Sequence, residues 1–192
     1  MEIMCIGMRE KIPEGWATVN TTSWSSEPWS RAFSPYSIGP VKTYAGISKK
    51  LENVWSYAGV YQEYADDNGN PTEEYFKFLN ESYNSKCKTY PLGKDKKPLY
   101  YLWDGQRMNL VEFRKKVIIP TYVEAIKDTP AFERLRTSKV NVALWDFFSY
   151  NHKKLNLTYE QVINNEKKMM GHSFIIAMMI DGFLGKKYDK VL

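Results

Sequence analysis

The stretch that decides the fold is Arg31–Tyr64, which reads RAFSPYSIGPVKTYAGISKKLENVWSYAGVYQEY. Its second half, 47–64, repeats apolar residues at the spacing of one face of an α-helix and therefore predicts a core helix. The apolar residues on this face are Ile47, Leu51, Val54, Trp55, Ala58 and Tyr61. Ahead of the helix, Gly39-Pro40 predicts a turn, and residues 41–45 predict a short extended piece.

Glu52 lies at the edge of this apolar face, one residue after Leu51 and one helical turn before Ser56. A carboxylate in that position is either a solvated charge on the flank of a helix or the acid of an active site. From position alone the solvated charge is the more common outcome, because charged residues are mostly exposed. By the same argument Trp55 fits the core as well as it fits a binding site.

Length and composition restrict the class of protein. The chain has 192 residues, 43% of them hydrophobic, which is enough for one buried core and too little for two ordinary domains, so we expect a single domain over 1–192. No apolar run reaches the roughly 20 residues that cross a bilayer, and charges come too early for a secretory signal. The two cysteines, Cys5 and Cys87, have no metal-ligand spacing and fit reduced thiols in the cytoplasm.

Charge and aromatic content favour an anionic partner. Lys and Arg exceed Asp and Glu by 27 − 22 = 5, which suits a nucleotide or a nucleic acid without requiring one. Aromatic residues make up 15% of the chain and serve either as core or as stacking faces for bases. Residues 84–98 are rich in Lys, Gly and Pro and predict a mobile basic loop, which is either simply solvated or steers phosphate groups.

The remaining chain predicts an α+β fold that is mainly helical, with a few short strands. A second helix begins at Thr72, and residues 99–105 predict an extended piece closed by an Asp-Gly turn. Pro120 is expected to kink or end the helix that contains it, because proline has no backbone N–H. Val140–Asp146 is the best strand candidate, and a capping box at Thr158 opens the final long helix.

The sequence lacks the motifs of several enzyme classes. No glycine-rich phosphate loop follows a strand, which disfavours ATPases and Rossmann dinucleotide-binding proteins. His152 and His172 have neither paired cysteines nor a nucleophile motif near them, so a zinc site and serine or cysteine hydrolase chemistry are not expected. Carboxylate chemistry remains, since Glu52, Asp104 and Asp146 each lie beside an aromatic residue that keeps a carboxyl group partly dry.

Three segments together resemble the NADAR (YbiA-like) family. FSPY at Phe33–Tyr36, followed sixteen positions later by Glu52 in LENVWSYAGVY, resembles that family's FSNF-like turn and the glutamate of its SEHxxQ-type helix, at the same separation. VALWDFFSYN at Val142–Asn151 resembles its strand ending in a Glu with a downstream Asp, and MMGHSFIIAMM at Met169–Met179 resembles its closing LGxLLM helix. The resemblance covers residues 31–179 and implies one NADAR-like domain.

The chain departs from the family pattern at identifiable positions. Gly59 stands where family members have a Lys, seven residues after the motif glutamate, and Asn151 stands near the position of their downstream Asp. The intact carboxylate after the strand is Asp146, and Trp103 is a substitute for the family's Trp before the third helix. The chain therefore resembles a divergent branch.

The resemblance implies an N-glycosidase that hydrolyses the ribose C1–N bond of ADP-ribosylated nucleobases and so removes ADP-ribose from modified DNA. It implies an antitoxin or anti-defence role in the cytoplasm of a bacterial or phage-infected cell, with no cofactor, no metal and no membrane partner. Glu52 would stabilise the oxocarbenium-like ribose as the catalytic carboxylate, with Asp146 as helper. The substrate-binding residues would be Arg31, Ser34, Tyr36, Trp55, Trp103, Asp104, Arg107, Tyr150 and Asn151.

Two other functions stay open on the sequence. A non-catalytic module that binds ADP-ribose or nucleic acid, or that blocks a host factor, is favoured by Gly59 and Asn151, where expected catalytic groups are missing. A glycosidase for a small metabolite bearing ribose phosphate is the third. Hydrolysis of a free nucleotide, compared with that of modified DNA, separates the third function from the first.

Overall fold

The computed structural model describes residues 1–86, 92–93 and 96–187. The chain forms two compact units, which we describe separately: the sheet unit, Met1–Ser37 with Ile119–Leu192, and the hairpin unit, Ile38–Ile118. The expected mixture of helices with a few short strands is confirmed. The single domain over 1–192 stays a prediction, and much of the expected basic loop, with Cys87, lies outside the described residues.

The strands are β1 (Ile3–Ile6), β2 (Ala17–Asn20), β3 (Val41–Thr43), β4 (Gly46–Ser48), β5 (Gly59–Val60), β6 (Tyr100–Trp103), β7 (Gln106–Met108) and β8 (Val142–Trp145). The helices are α1 (Pro28–Arg31), α2 (Leu51–Ser56), α3 (Glu73–Asn84), α4 (Leu110–Phe113), α5 (Ile119–Ile126), α6 (Pro130–Arg136), α7 (Tyr159–Asn164), α8 (His172–Ile180) and α9 (Phe183–Lys187). A 3-10 helix at Gln62–Tyr64 and a π-helix at Arg114–Ile118 complete the regular structure of the described residues.

The sheet unit is built on three parallel strands in the order β1-β8-β2. The first three residues of the central strand β8, Val142, Ala143 and Leu144, are all buried, as expected for a parallel strand covered on both faces. The predicted strand within 140–146 is thereby confirmed as β8. Because the three strands are parallel, their carboxyl ends meet at one edge of the sheet.

Helix α8 is the main core helix of the sheet unit and packs against β1, β8 and α5. Its middle residues from Ser173 to Met178 are all buried, so the helix is apolar around its whole circumference. The expectation of one long final helix is wrong, because the chain leaves the helical path after α7 and re-enters it at Gly171, the N-cap of α8. The predicted capping box between Thr158 and Gln161 is confirmed at α7.

The hairpin unit contains the β3–β4 hairpin and the antiparallel sheet β5-β6-β7. Two clusters of buried residues form its core. The first contains Tyr57, Val60, Tyr75, Leu79, Tyr83 and Leu102, and the second contains Ala58, Met108, Phe113 and Val117. The helix expected to begin at Thr72 is confirmed as α3, and the expected Asp104-Gly105 turn joins β6 to β7.

The long helix predicted over 47–64 is wrong in its extent. Only α2 is helical, and Ile47 lies in β4 with 64% of its surface exposed. The helix ends because the backbone of β5 pairs with β6, which replaces helical hydrogen bonds with sheet bonds. Gly59 permits this pairing, since a Cβ there would lie 3.0 Å from Cβ of Pro98.

Pro120 does not end its helix. It is the second residue of α5, and the π-helix precedes α5 directly along the chain. A π-turn changes the hydrogen-bond register ahead of a proline, so the helix continues with a local irregularity. Among the described residues, none of the helices has the length and apolar character that crossing a bilayer requires.

The N-terminus of α4 is closed by a capping box whose contribution to stability can be measured. The side chain of Asn109 accepts a hydrogen bond from the Glu112 N–H at 2.9 Å, and Glu112 returns one to the Asn109 N–H at 3.0 Å. We expect Asn109→Ala to lower the free energy of unfolding by about 1 kcal/mol, because the Glu112 N–H loses its side-chain acceptor. Urea denaturation measures it.

The matched control is Asn80→Ala, which changes an exposed residue inside α3 of the same unit. Alanine has the higher helix propensity, so this variant should be as stable as the parent or slightly more stable. Equal midpoints for the two variants would contradict the capping role of Asn109.

Candidate functional site

The predicted site residues divide between the two units. Glu52, Trp55, Trp103, Asp104 and Arg107 belong to the hairpin unit, whereas Arg31, Ser34, Tyr36, Asp146, Tyr150 and Asn151 belong to the sheet unit. We therefore describe each set in its own surroundings.

Glu52 is held in a fixed orientation on α2. It occupies the first turn, where the positive end of the helix dipole favours a carboxylate. Its Oε1 accepts a hydrogen bond from Oγ of Ser56 at 2.7 Å, one helical turn further on. Glu52 and its neighbour Trp55 are half-buried, while Asn53 and Val54 on the inner face are fully buried. The carboxylate is thus oriented by the helix and still reached by solvent.

The turn between β6 and β7 places an aromatic pair beside a carboxylate. Trp103 is half-buried and packs edge-on against Tyr44, with ring centroids 4.9 Å apart. Asp104 is exposed at the tip of the turn with a positive φ of 47°, a conformation that Asp tolerates. Burial raises the pKa of the Tyr44 phenol, and a hydrogen bond with the backbone of Asp104 acts in the opposite direction. Sequence reasoning missed Tyr44.

Arg107 is exposed but anchored. Its Nη2 donates a hydrogen bond to Oδ1 of Asn70 at 2.6 Å, and its guanidinium lies 4.6 Å from the centroid of the Tyr100 ring. The turn that presents Asn70 is itself fixed by Asp66, whose carboxylate accepts hydrogen bonds from the N–H groups of Asn68 and Asn70. The guanidinium is therefore a positioned positive charge on the surface of the hairpin unit.

Asp146 follows β8 directly and is 2% exposed. Its Oδ1 accepts a hydrogen bond from the Phe148 N–H at 3.3 Å, and its Oδ2 accepts one from the Ser173 N–H at 3.2 Å. Nδ1 of His172 lies 3.2 Å from the same Oδ2, and Nε2 of His172 lies 2.9 Å from the carbonyl oxygen of Thr21. Both carboxylate oxygens are thus engaged by the first turn of α8 and by the chain after β8.

The arrangement around Asp146 leaves no room for a side chain at Gly171. A Cβ there would lie 2.3 Å from Oδ2 of Asp146 and 2.6 Å from Oγ of Ser149. Since glycine has no capping side chain, the carboxylate of Asp146 caps α8 in its place. Sequence reasoning missed this role of His172 and Ser173, although Gly-His-Ser at the start of an apolar helix is a signal that a cap must come from elsewhere.

Two buried groups adjoin this network. The hydroxyls of Ser149 and Ser173 share a hydrogen bond, and Cys5 on β1 is fully buried. Burial raises the pKa of the Cys5 thiol, and a hydrogen bond with Ser173 acts in the opposite direction. A thiol in this state is a poor nucleophile.

The FSPY segment packs into the sheet unit. Phe33 is fully buried, and its carbonyl oxygen accepts a hydrogen bond from the phenol of Tyr122 at 2.7 Å. Oγ of the buried Ser34 accepts a hydrogen bond from the Tyr36 N–H at 3.3 Å, and Tyr36 is half-buried. Arg31 is exposed in the last turn of α1.

Tyr150 and Asn151 lie in the chain after β8. The ring of Tyr150 packs edge-on against Phe174, and Nζ of Lys168 lies 4.4 Å from its centroid. The N–H of Asn151 donates to both carboxylate oxygens of Glu10, at 3.0 and 3.1 Å. Asn151 therefore secures this segment to the chain after β1.

In the part of the chain that the structure describes, no group of three or more His, Cys, Asp and Glu side chains is arranged to hold a metal ion. No protein-family model, curated protein or solved structure matches the chain. Membership of the NADAR family stays a prediction from the sequence resemblance.

Asp146→Asn tests the capping role of Asp146. The amide keeps the shape but loses the charge that favours the helix N-terminus, and its NH₂ group cannot accept a hydrogen bond from a backbone N–H. We expect the free energy of unfolding to fall by about 2–4 kcal/mol, because the negative charge is lost and one buried N–H donor loses its acceptor. Denaturant unfolding followed by far-UV circular dichroism measures it.

Asp128→Asn is the matched control, since Asp128 is exposed in the same unit. It should shift the free energy of unfolding by less than about 0.5 kcal/mol. If the two variants unfold at the same denaturant concentration, the carboxylate of Asp146 does not stabilise α8.

Proposed function

We propose that the chain is an N-glycosidase that hydrolyses the ribose C1–N bond of ADP-ribosylated nucleobases and so removes ADP-ribose from modified DNA, with Glu52 as its catalytic carboxylate. The observation that carries the proposal is the half-buried Glu52, whose Oε1 is fixed by the Ser56 hydroxyl. The choice of reaction rests on the resemblance of the FSPY segment and of the α2 segment to the NADAR motif.

The chemistry needs a negative charge that does not reorient during the reaction. As the bond from C1 to nitrogen breaks, positive charge develops on the ribose, and a fixed carboxylate stabilises it without further reorganisation. The same carboxylate can accept a proton from the attacking water, provided that water reaches it. Glu52 meets both requirements, because a hydrogen bond orients it and solvent reaches it.

The hairpin unit also offers groups that recognise a nucleotide. The half-buried Trp103, with Tyr44 against its ring, presents aromatic surface on which a base can stack. Arg107 is a positioned guanidinium that can bind a diphosphate, because its fork matches phosphate oxygens. These groups support an ADP-ribose substrate over a bare sugar.

Asp146 takes the role of a positioning residue in this proposal. Its two oxygens accept backbone hydrogen bonds and contact His172, so buried partners hold the carboxylate in place. It holds the first residues after β8 through the Phe148 N–H and the start of α8 through the Ser173 N–H. In this proposal Glu52 is the carboxylate that stabilises the developing charge on the ribose and accepts the proton from water.

A non-catalytic binding function is the second candidate, and two observations favour it. A Cβ at Gly59 would lie 3.0 Å from Cβ of Pro98, so a lysine at the position of the family's Lys would require Pro98 to shift by a few tenths of an ångström. Asn151, near the position of the family's Asp, is engaged with Glu10 and Lys154. Tight binding of ADP-ribosylated DNA with no product after long incubation would establish this function instead.

Glu52→Gln should lower the rate of ADP-ribose release by about a thousandfold or more, because the amide carries no charge to stabilise the oxocarbenium-like ribose. The assay incubates oligonucleotides carrying ADP-ribosylated guanine or thymine and identifies both products by mass spectrometry. Thermal unfolding confirms that the variant is folded.

Glu73→Gln is the control, since Glu73 is an exposed glutamate in the first turn of α3 of the same unit. It should retain the parent rate. Turnover by Glu52→Gln at the rate of this control would exclude Glu52 as the catalytic carboxylate.

Ser56→Ala tests whether the orientation of Glu52 matters. Loss of the hydroxyl leaves the charge in place and removes the hydrogen bond that Oε1 accepts, so we expect roughly a tenfold lower rate with an unchanged reaction product. The same mass-spectrometric assay measures the rate. The control is Ser85→Ala, whose hydroxyl bonds only to backbone carbonyl groups among its described contacts. Equal rates for both serine variants would show that Ser56 does not orient the carboxylate.

A further inference from the structure

A tryptophan that exposes most of its surface stands on a rigid loop at the carboxyl edge of the parallel sheet. Trp24 is 72% exposed, and it follows β2 by four residues. Its loop is held by hydrogen bonds from the N–H and hydroxyl of Thr22 to Oδ1 of Asn20, at 2.9 and 2.8 Å, and from the Trp24 N–H to the Thr22 hydroxyl at 3.2 Å. Thr21 and Thr22 are buried.

Trp24 is the outer member of a set of aromatic residues that we call the edge cluster: Trp24, Trp145, Phe147 and Phe148. The Trp24 and Phe147 rings meet edge-on with centroids 4.7 Å apart, and Phe147 in turn meets Trp145 at 5.1 Å. Phe148 is 39% exposed. The whole cluster lies in the sheet unit, on the segments that follow β2 and β8.

The backbone beneath the edge cluster is fixed on both sides. The Thr21 N–H and hydroxyl both donate to the Trp145 carbonyl oxygen, at 3.1 and 3.0 Å, which ties the two segments to each other. Gly171 donates to the Phe148 carbonyl oxygen at 3.1 Å. An aromatic surface that is already ordered loses little conformational entropy when a ligand binds, so it is suited to act as an anchor.

The charge on the neighbouring segments favours a polyanion. Exposed basic residues lie on the segments that follow β1 and β8 and on the segment that precedes α8: Arg9, Lys11, Lys154, Lys167 and Lys168. The exposed acidic residues are fewer than the basic ones: Glu14 follows β1, Glu27 follows β2 and Glu166 precedes α8. Glu10 accepts hydrogen bonds from the N–H groups of Gly7 and Asn151, and Asp146 is buried. Aromatic faces with interleaved positive charge are the arrangement that binds single-stranded nucleic acid.

We infer that the edge cluster binds unpaired bases of a single-stranded nucleic acid, with Trp24 as the principal stacking residue and the surrounding lysines and Arg9 as phosphate contacts. This inference goes beyond the proposed function, because it assigns a nucleic-acid-binding surface to the sheet unit by itself. Binding does not require turnover, so it is tested apart from the reaction. Stacking needs an open base face, and a duplex therefore binds more weakly than a single strand.

The probe is a fluorescein-labelled oligothymidylate, and its anisotropy measures binding to the full chain at low and moderate salt. We expect the single strand to bind more tightly than a duplex of equal length, with affinity falling as salt rises. Trp24→Ala should weaken binding about tenfold, and Trp24→Phe should restore part of the loss, because phenylalanine keeps a stacking face.

The matched control is Val140→Ala. Val140 is 51% exposed in the same unit, but it precedes β8 and so lies towards the opposite edge of the sheet. This variant should bind the strand as the parent does. Trp24→Ala binding with parental affinity, or a parent chain that does not bind the strand, would overturn the inference. So would a Trp24-dependent dimer in sedimentation, because the cluster would then be an interface between copies of the chain.

Glu52→Gln separates this inference from the proposed reaction. Because Glu52 lies in the hairpin unit, the variant should bind the oligothymidylate with parental affinity while losing hydrolysis. If the parent binds the strand in a Trp24-dependent way and releases no ADP-ribose, the result supports the binding surface and contradicts the proposed reaction. If ADP-ribose is released equally by Trp24→Ala and the parent, and neither binds the strand, the reaction stands and the surface fails.

Discussion

The sheet unit depends on the contact between one carboxylate and the start of one helix. Helix α8 is apolar on all sides and buried, so its first N–H groups have no access to water and need an acceptor within the protein. The N-cap residue, Gly171, has no side chain to provide one. Asp146, at the end of β8, accepts the Ser173 N–H instead and lies within 3.2 Å of His172. The strand thereby determines where the helix begins.

The same contact fixes the edge of the sheet. His172 bridges Asp146 to the Thr21 carbonyl oxygen, and Glu10 connects the chain after β1 to Asn151. The three segments that follow the parallel strands are thus joined to one another by side chains. A rigid edge can hold an exposed tryptophan in one place, which a mobile loop cannot do. The polar network and the exposed aromatic surface are therefore parts of one arrangement, in which buried hydrogen bonds support a surface that is open to solvent.

Local patterns in the sequence predicted local structure well. The capping box at Thr158, helix α3 and strand β8 follow from signals within a few residues of each element, and the structure has all of them. The helix predicted over 47–64 failed because its end is set by pairing with Tyr100 and Tyr101, some 40 residues away. Apolar spacing does not reveal a strand partner so far along the chain.

In the candidate site, too, local contacts could be predicted from the sequence and long-range contacts could not. The position of Glu52 on a helix with Ser56 one turn later could be predicted, because both residues lie in one short segment. The surroundings of Asp146 could not, because its partners are Ser173 and His172, and nothing between them in the sequence indicates the contact. The sequence therefore assigned comparable roles to two carboxylates that the fold places in different environments.

Solvent access decides which of these two carboxylates can act on water. Asp146 is 2% exposed, and its oxygens accept two backbone hydrogen bonds in addition to contacting His172. A carboxylate in that state stabilises the fold through its charge, and moving it to meet a water molecule would leave buried donors without an acceptor. Glu52 is half-buried on a short helix, with the Ser56 hydroxyl at one oxygen. A group that must meet a substrate and a water molecule has to be reached from outside, and of the two carboxylates Glu52 is the one that satisfies this condition.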